Sequence, residues 1–167
     1  MNILFSTARL RVRPAKETDI PYIMRLEQEE QNQDYVFQGT YDEHVAEIQA
    51  KNVFLRMIED FNKEPVGFIL SALDSKSHSY ELRRIVIDKK NKGYGKEVIL
   101  GLMGYCFDVL KCHRFWLDVF EENTKGIQLY LELGMVHEGT FRESNLYKNK
   151  YRSQLIFSVL SHEYHTR

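Results

Sequence analysis

Apolar and polar positions alternate in six places along the chain, which predicts strands there. They are Leu10–Arg13, 53–60 ("VFLRMIED"), 65–74 ("PVGFILSALD"), 79–88 ("SYELRRIVID"), 114–120 ("RFWLDVF") and 151–160 ("YRSQLIFSVL"). The turn "FNKE" joins the second and third strands, and the polar loop "SKSHS" leads into the fourth. From Lys96 the period changes to helical. Val98, Leu102, Tyr105 and Val109 lie beside a second stripe of Ile99, Met103, Cys106 and Leu110, so this helix is largely buried. Thr18 or Asp19 caps a helix running to about Glu29, and Asn123 caps another that Gly134 ends. The stretch 27–44 is acidic, polar and aromatic without clear periodicity, and reads as a loop or site wall. Strands, helix, strand, helix and strands in that order give a mixed α/β (α+β) sheet.

Composition narrows the picture. At 167 residues, with 43% hydrophobic and 28% charged residues and no repeat or low-complexity tract, one domain spanning 1–167 is expected. No apolar run reaches the length of a membrane span, and the N-terminus lacks the order of a secretory signal, so a cytoplasmic location is expected. A net charge of −1 supplies no overall drive toward nucleic acid. The two cysteines, Cys106 and Cys112, form no metal or disulfide pattern, and no metal is expected. His44, His78, His113 and His137 fall near turns or strand ends without shared ligand spacing, which predicts surface roles.

Against this near-neutral background, Lys89, Lys90, Lys92 and Lys96 cluster around Gly93 and Gly95, between a strand and a buried helix. A helix start carries unpaired N–H groups and a partial positive charge, and glycine lets the backbone approach an oxyanion closely. The turn therefore suits a diphosphate. A solvated charged turn is the plain alternative. The dinucleotide pattern is excluded because Val98 stands where its third glycine belongs, and the P-loop pattern is absent.

The stretch 84–99, "RIVIDKKNKGYGKEVI", resembles the acetyl-CoA motif of the GNAT family of N-acetyltransferases, with Lys90 in its Gln/Arg place. A second family motif is matched by "ENTKGIQLYLELGM", with Asn123, Tyr130 and Gly134 in place and Met135 for the usual Phe. The motif spacing and the C-terminal stretch are similar to the branch of ribosomal-protein N-terminal and spermidine acetyltransferases. The resemblance implies a mostly antiparallel sheet of about six to seven strands flanked by about four helices. It implies that Ile85, Val86 and Ile87 hold the pantetheine arm of acetyl-CoA, and that Asn91, Lys92, Gly93, Tyr94, Gly95 and Lys96, with Lys90, hold its diphosphate. Asn123 reads as a helix cap alone or, as the resemblance implies, as a cap that also touches the cofactor; Tyr130 reads as core packing beside Ile127 and Leu131 or, as the resemblance implies, lies at the leaving thiol as general acid and cofactor contact. A phenol, with a reference pKa of about 10, stays protonated at neutral pH and can serve a thiolate.

The base that receives the acceptor's proton is Glu81, with Asp118 as the alternative; a carboxylate paired to Arg83 or Arg84 is the structural reading of the same residue. Glu27, Glu29, Glu30 and Asp34 precede the second strand and favour a cationic acceptor: a polyamine, another small amine or a peptide N-terminus. A homodimer is a further expectation of the branch. A non-catalytic acyl-CoA-binding module is the alternative function, and Tyr130 argues against it.

Overall fold

The computed structural model describes residues 2–167. Its centre is an eight-stranded sheet in the order β1-β2-β3-β4-β5-β6-β8-β7. The strands are β1 (Phe5–Ser6), β2 (Leu10–Pro14), β3 (Val53–Asp60), β4 (Pro65–Asp74), β5 (Ser79–Ile87), β6 (Arg114–Phe120), β7 (Val136–Tyr147) and β8 (Lys150–Leu160). The six strands read from the pattern are all present. The two additional ones are the short β1 and the long β7, which exceed the expected count.

β7 escapes a pattern reading because nearly all of its residues are exposed, so neither face alternates. Its turn into β8 carries Lys148 and Asn149 at φ 49° and 60°, the left-handed pair that a tight two-residue hairpin requires.

Five α-helices flank the sheet: α1 (Ile20–Gln28), α2 (Tyr41–Gln49), α3 (Tyr94–Gly104), α4 (Thr124–Glu132) and α5 (Ser161–His165). α2 falls in the stretch expected to be loop. Its start is a capping box, in which Thr40 Oγ1 accepts from the Glu43 amide and Glu43 accepts from the Thr40 amide. α3 begins two residues before the expected Lys96 and runs on into a π-turn over Tyr105–Val109.

The sheet buries two cores. On one face Tyr80, Leu82, Phe115 and Leu117 meet Val98, Ile99, Leu102 and Met103 of α3. On the other, Leu55, Met57, Phe68, Leu70 and Val86 meet Ile23 and Leu26 of α1. Cys106 and Cys112 are buried free thiols in the first core.

Every strand pair is antiparallel except β5 with β6, which is parallel and short. Its ladder covers only Ser79–Glu81 against Arg114–Trp116. Beyond it β6 stays paired to β8 along its whole length, and β5 stays paired to β4, so the two strands diverge. A bulge in β5 accompanies the divergence: Leu70 faces Arg84 while Ser71 faces Leu82. The sheet is opened from within, not at its edge.

Candidate active site

The divergence makes a cleft of about 580 Å³. The far half of β5 lines one side, and Leu117–Phe120 of β6 with Tyr130 of α4 line the other. On the side facing β6, Ile85, Val86 and Ile87 have no strand partner, because the parallel ladder ended at Glu81. Asp88 donates its amide to Val66 next to β4, so by alternation Val86 is bonded toward β4 while the amides of Ile85 and Ile87 face the cleft and stay open to an extended ligand. At the floor of the cleft the chain turns into α3 with Asn91 at φ 59° and Gly93 at φ 74°. Both are left-handed, the conformation that lets consecutive amides point into one concavity.

Ile85, Val86, Ile87, Lys90, Asn91, Lys92, Gly93, Tyr94, Gly95, Asn123 and Tyr130 all line this one cleft. Lys96 does not; it is exposed, with Nζ 4.0 Å from Glu132 Oε2. The structure fits the cradle of a phosphate-bearing ligand, since a Cβ built at Gly95 would meet only Ile87 and Leu129, at 3.8 and 3.9 Å. Gly95 thus leaves room beyond what the protein fills. Asn123 Oδ1 accepts from the Gly126 amide at 3.0 Å, capping α4 at the cleft rim.

Tyr130 is buried, and burial with the charge of Asp118 pushes its phenol up to about 12. Among the described residues its hydroxyl has no hydrogen-bond partner. Asp118 lines the same cleft, with Oδ1 accepting from Gln154 Nε2 at 2.7 Å. Burial raises its carboxyl, the Gln154 hydrogen bond opposes this, and the charge of Glu81 adds to the rise. The cleft therefore holds a protonated phenol and a proton-hungry carboxylate.

Glu81 lies elsewhere. It lines a second cavity, of about 890 Å³, together with Trp116, Arg114, Glu138 and Phe141. Its Oε2 accepts from Arg83 Nε at 2.9 Å.

The acidic stretch departs furthest from expectation. Glu27 is fully buried, accepting from Arg84 Nη1 at 2.8 Å, His44 Nε2 at 3.0 Å and the Gly39 amide at 3.0 Å. His44, expected at the surface, is also fully buried, with Nδ1 2.7 Å from Glu47 Oε2. Burial opposes its charge, but the hydrogen bonds to Glu27 and Glu47 outweigh it and push its pKa up to about 9. His78, His113 and His137 are exposed, as expected. Glu29 pairs with Arg25. Asp34 accepts from Tyr147 Oη and Lys148 Nζ, each at 3.0 Å, and its carbonyl accepts from Arg152. Only Glu30 is left exposed and without a charged partner among the described residues.

Residues that the sequence did not single out close the mouth of the cleft. Phe37 packs on Phe120 at 5.8 Å, and Arg152 stands over Phe120 at 3.6 Å and over Tyr147 at 4.5 Å. The tip of the β7–β8 hairpin thus reaches across to the α1–α2 connection. No local signal marks this, because the contacts join residues more than a hundred positions apart.

An acetyltransferase (GNAT) domain matches residues 9–136. The chain belongs to that family. It is an acetyl-CoA-dependent N-acetyltransferase.

A spermidine N(1)-acetyltransferase of Vibrio cholerae is 25% identical over 169 residues, covering 96% of this chain and 98% of the relative. The Escherichia coli enzyme of the same name is 23% identical, covering 95% of this chain and 90% of that one. Among solved structures, a chimera of the Vibrio cholerae spermidine N-acetyltransferase and hSSAT superposes with a TM-score of 0.83 at 25% identity, covering 96% of this chain and all of that one. The Vibrio cholerae enzyme in complex with CoA and spermine shares the fold, with a TM-score of 0.83 at 24% identity over 93% of this chain and 97% of that one. A further structure of that enzyme is dodecameric. Among the described residues no helix is long and apolar enough to cross a membrane, and no group of three His, Cys, Asp or Glu could hold a metal ion.

Proposed function

We propose that this acetyltransferase transfers acetyl from acetyl-CoA directly to a primary amine of a polyamine, with the whole chain serving as one catalytic domain. The single observation that carries the reading is the cleft itself. It unites the unpaired edge of Ile85–Ile87, the left-handed turn at Asn91 and Gly93, and the free hydroxyl of Tyr130 facing the same space as Asp118. Full-length likeness to spermidine acetyltransferases supports the polyamine acceptor.

The roles follow from chemistry. When bound, acetyl-CoA supplies an activated acyl group and a thiolate leaving group. Ile85–Ile87 hold the extended arm through the open amides of Ile85 and Ile87, and the turn from Lys90 to Gly95 holds the diphosphate at the start of α3. Tyr130, kept protonated by burial, donates its proton to the departing sulfur. For the proton of the acceptor ammonium, the geometry supports Asp118 over Glu81. Asp118 shares the cleft with Tyr130 and has a raised proton affinity, whereas Glu81 is held by Arg83 in the neighbouring cavity. The second cavity, with Trp116 and three carboxylates on its wall (Asp74, Glu81 and Glu138), suits the body of the acceptor.

The buried free thiols suit a reducing cytoplasm. Self-association through β7, the exposed edge strand with Val136, Phe141 and Leu146 at its surface, completes the reading.

Tyr130→Phe tests the catalytic assignment. It keeps the ring and deletes a hydroxyl that bonds to nothing in the protein, so turnover with spermidine should fall on the order of 100-fold while acetyl-CoA affinity and Tm stay put. A turnover within about threefold of the parent would return the alternative of a binding module or an unaided thiolate departure.

A further inference from the structure

Arg83 is the bulged residue of β5. Its neighbours Leu82 and Arg84 face Ser71 and Leu70 of β4, which leaves Arg83 outside the ladder. Bulges of this kind redirect a side chain and are common beside active sites. Here the consequence is visible: Arg83 lines both the cleft and the second cavity.

Its Nε makes one hydrogen bond, to Glu81, and the two side chains are 43% and 20% exposed. Glu81 itself stands opposite Trp116 at the last rung before the strands diverge. Across the second cavity, the other arginine, Arg114, is bound to Glu138 by two donors and stands over Trp116 at 5.8 Å. Arg114 is therefore fixed from two sides, and Arg83 is tethered by one bond.

A polyamine presents two charges to such a site. The reacting nitrogen must become neutral, while the next nitrogen stays protonated and still needs a counter-ion. One carboxylate cannot serve both. Asp118 shares the cleft with Tyr130, and Glu81 pairs in register with Trp116, two residues before Asp118 on the same strand, where its charge adds to the rise of the Asp118 carboxyl. This places an anion beside the reaction centre and toward the larger cavity.

We propose that Glu81 anchors the second ammonium of the acceptor, and that Arg83 is a resident cation which this ammonium displaces. This rests on the polyamine reading above. The exchange is inexpensive, because a singly bonded, half-exposed ion pair contributes little and the freed guanidinium returns to water. Arg83 thereby weakens binding of every acceptor that uses Glu81 and leaves singly charged amines unaffected. It sets a preference without touching the reacting atoms.

Steady-state kinetics at saturating acetyl-CoA tests this with spermidine and with butylamine, which has no second charge. Arg83→Gln should lower the KM for spermidine about three- to fivefold with kcat unchanged, and leave butylamine alone. Arg83→Lys, which keeps the charge, should stay within about twofold of the parent. Glu81→Gln should raise the KM for spermidine but not for butylamine, and in that background Arg83→Gln should have no further effect. If Arg83→Gln does not fold, Glu81→Gln still tests the anchor on which the inference depends: a spermidine KM that it leaves unchanged would overturn the inference.

A spermidine KM that Arg83→Gln leaves unchanged or raises would overturn the inference while leaving the proposed function intact. So would a lowering that persists in the Glu81→Gln background, since it would reflect only the general field. A parent that binds acetyl-CoA yet turns over no polyamine would overturn both.

Discussion

Lys89, Lys90, Lys92 and Lys96 surround the start of α3, and Glu27, Glu29, Glu30 and Asp34 surround the end of α1. The two clusters hold equal and opposite charge and flank the same cleft, yet the fold treats them differently. Lys92 has no partner among the described residues, Lys89 and Lys96 come no nearer than 4.0 Å to a carboxylate, and Lys90 donates to the neutral Asn32 at 2.7 Å. Three of the four carboxylates, all but Glu30, are by contrast taken up internally by Arg84, His44, Arg25, Lys148 and Tyr147. A charged run is available to a ligand only where the fold brings no counter-ion to it. The turn keeps its charge free because α3 starts there and its neighbours are backbone amides. The acids lose theirs because α2, β5 and the β7–β8 hairpin all converge on them.

The largest expected effect lies on the acid side. Glu27→Ala removes the common partner of Arg84 and His44 and leaves one buried and one half-buried cation without it. A loss of about 3–5 kcal/mol in urea unfolding is expected, with acetyl-CoA affinity of the folded fraction unchanged. Unchanged stability with a raised acceptor KM would instead make Glu27 a substrate ligand and break the contrast. His44 adds a pH signature. Its pKa is raised from 6.5 to about 9 on folding, so its contribution is complete below pH 6.5 and is lost as the pH climbs through about 9. The parent's Tm should fall over that window, and His44→Gln should remove the fall.

On the lysine side, Gly95→Ala separates the ligand from the fold. The added methyl finds ordinary contacts at 3.8 and 3.9 Å, and alanine favours the helix by up to about 1 kcal/mol over glycine. Stability should therefore hold or rise. Acetyl-CoA affinity should drop on the order of tenfold, because the methyl occupies the cleft side of the helix start. Gly93 is a less clean probe, since its φ of 74° strains any side chain even though a Cβ there meets only Arg9, at 3.6 Å. Calorimetry on Gly95→Ala that shows full affinity would remove the turn from the cofactor site.

The same contrast explains what was legible in the sequence. The turn is a local device: glycine, lysine, strand and helix adjoin in the chain, so residues 85–95 could be read as one unit and all but Lys96 of the proposed cofactor contacts line one cleft. β3 to β6 were legible because each buries residues at alternate or continuous positions between defined turns. α2 was hidden in an acidic stretch, although Thr40 and Glu43 spell a capping box. The fate of Glu27 was not legible, because Arg84 reaches it from 57 residues away. Nor was the separation of Asp118 and Glu81 into two cavities. It depends on where the parallel ladder ends and on Gln154 of β8 standing opposite Phe120 in the register that brings it to Asp118.

The smallest expected effect is at Asp34, and it sharpens the comparison most. The hydrogen bonds from Lys148 and Tyr147 hold its carboxyl below the usual range, so it is ionised at any pH near neutral. An ionised acid at the cleft mouth would ordinarily attract a cationic acceptor, and its removal would raise KM by an amount that shrinks with salt. Here the charge is already matched by Lys148 at 3.0 Å, and the Asp34 carbonyl is held by Arg152. Asp34→Asn keeps an acceptor oxygen for Tyr147 and Lys148 and deletes only the charge. The spermidine KM should therefore change by less than about twofold, with the same salt dependence as the parent, because an exposed, compensated ion pair contributes little. A KM that rises several-fold at low salt and recovers at high salt would show that Asp34 leaves the hairpin to meet the acceptor, and that the acidic stretch acts as a substrate funnel after all.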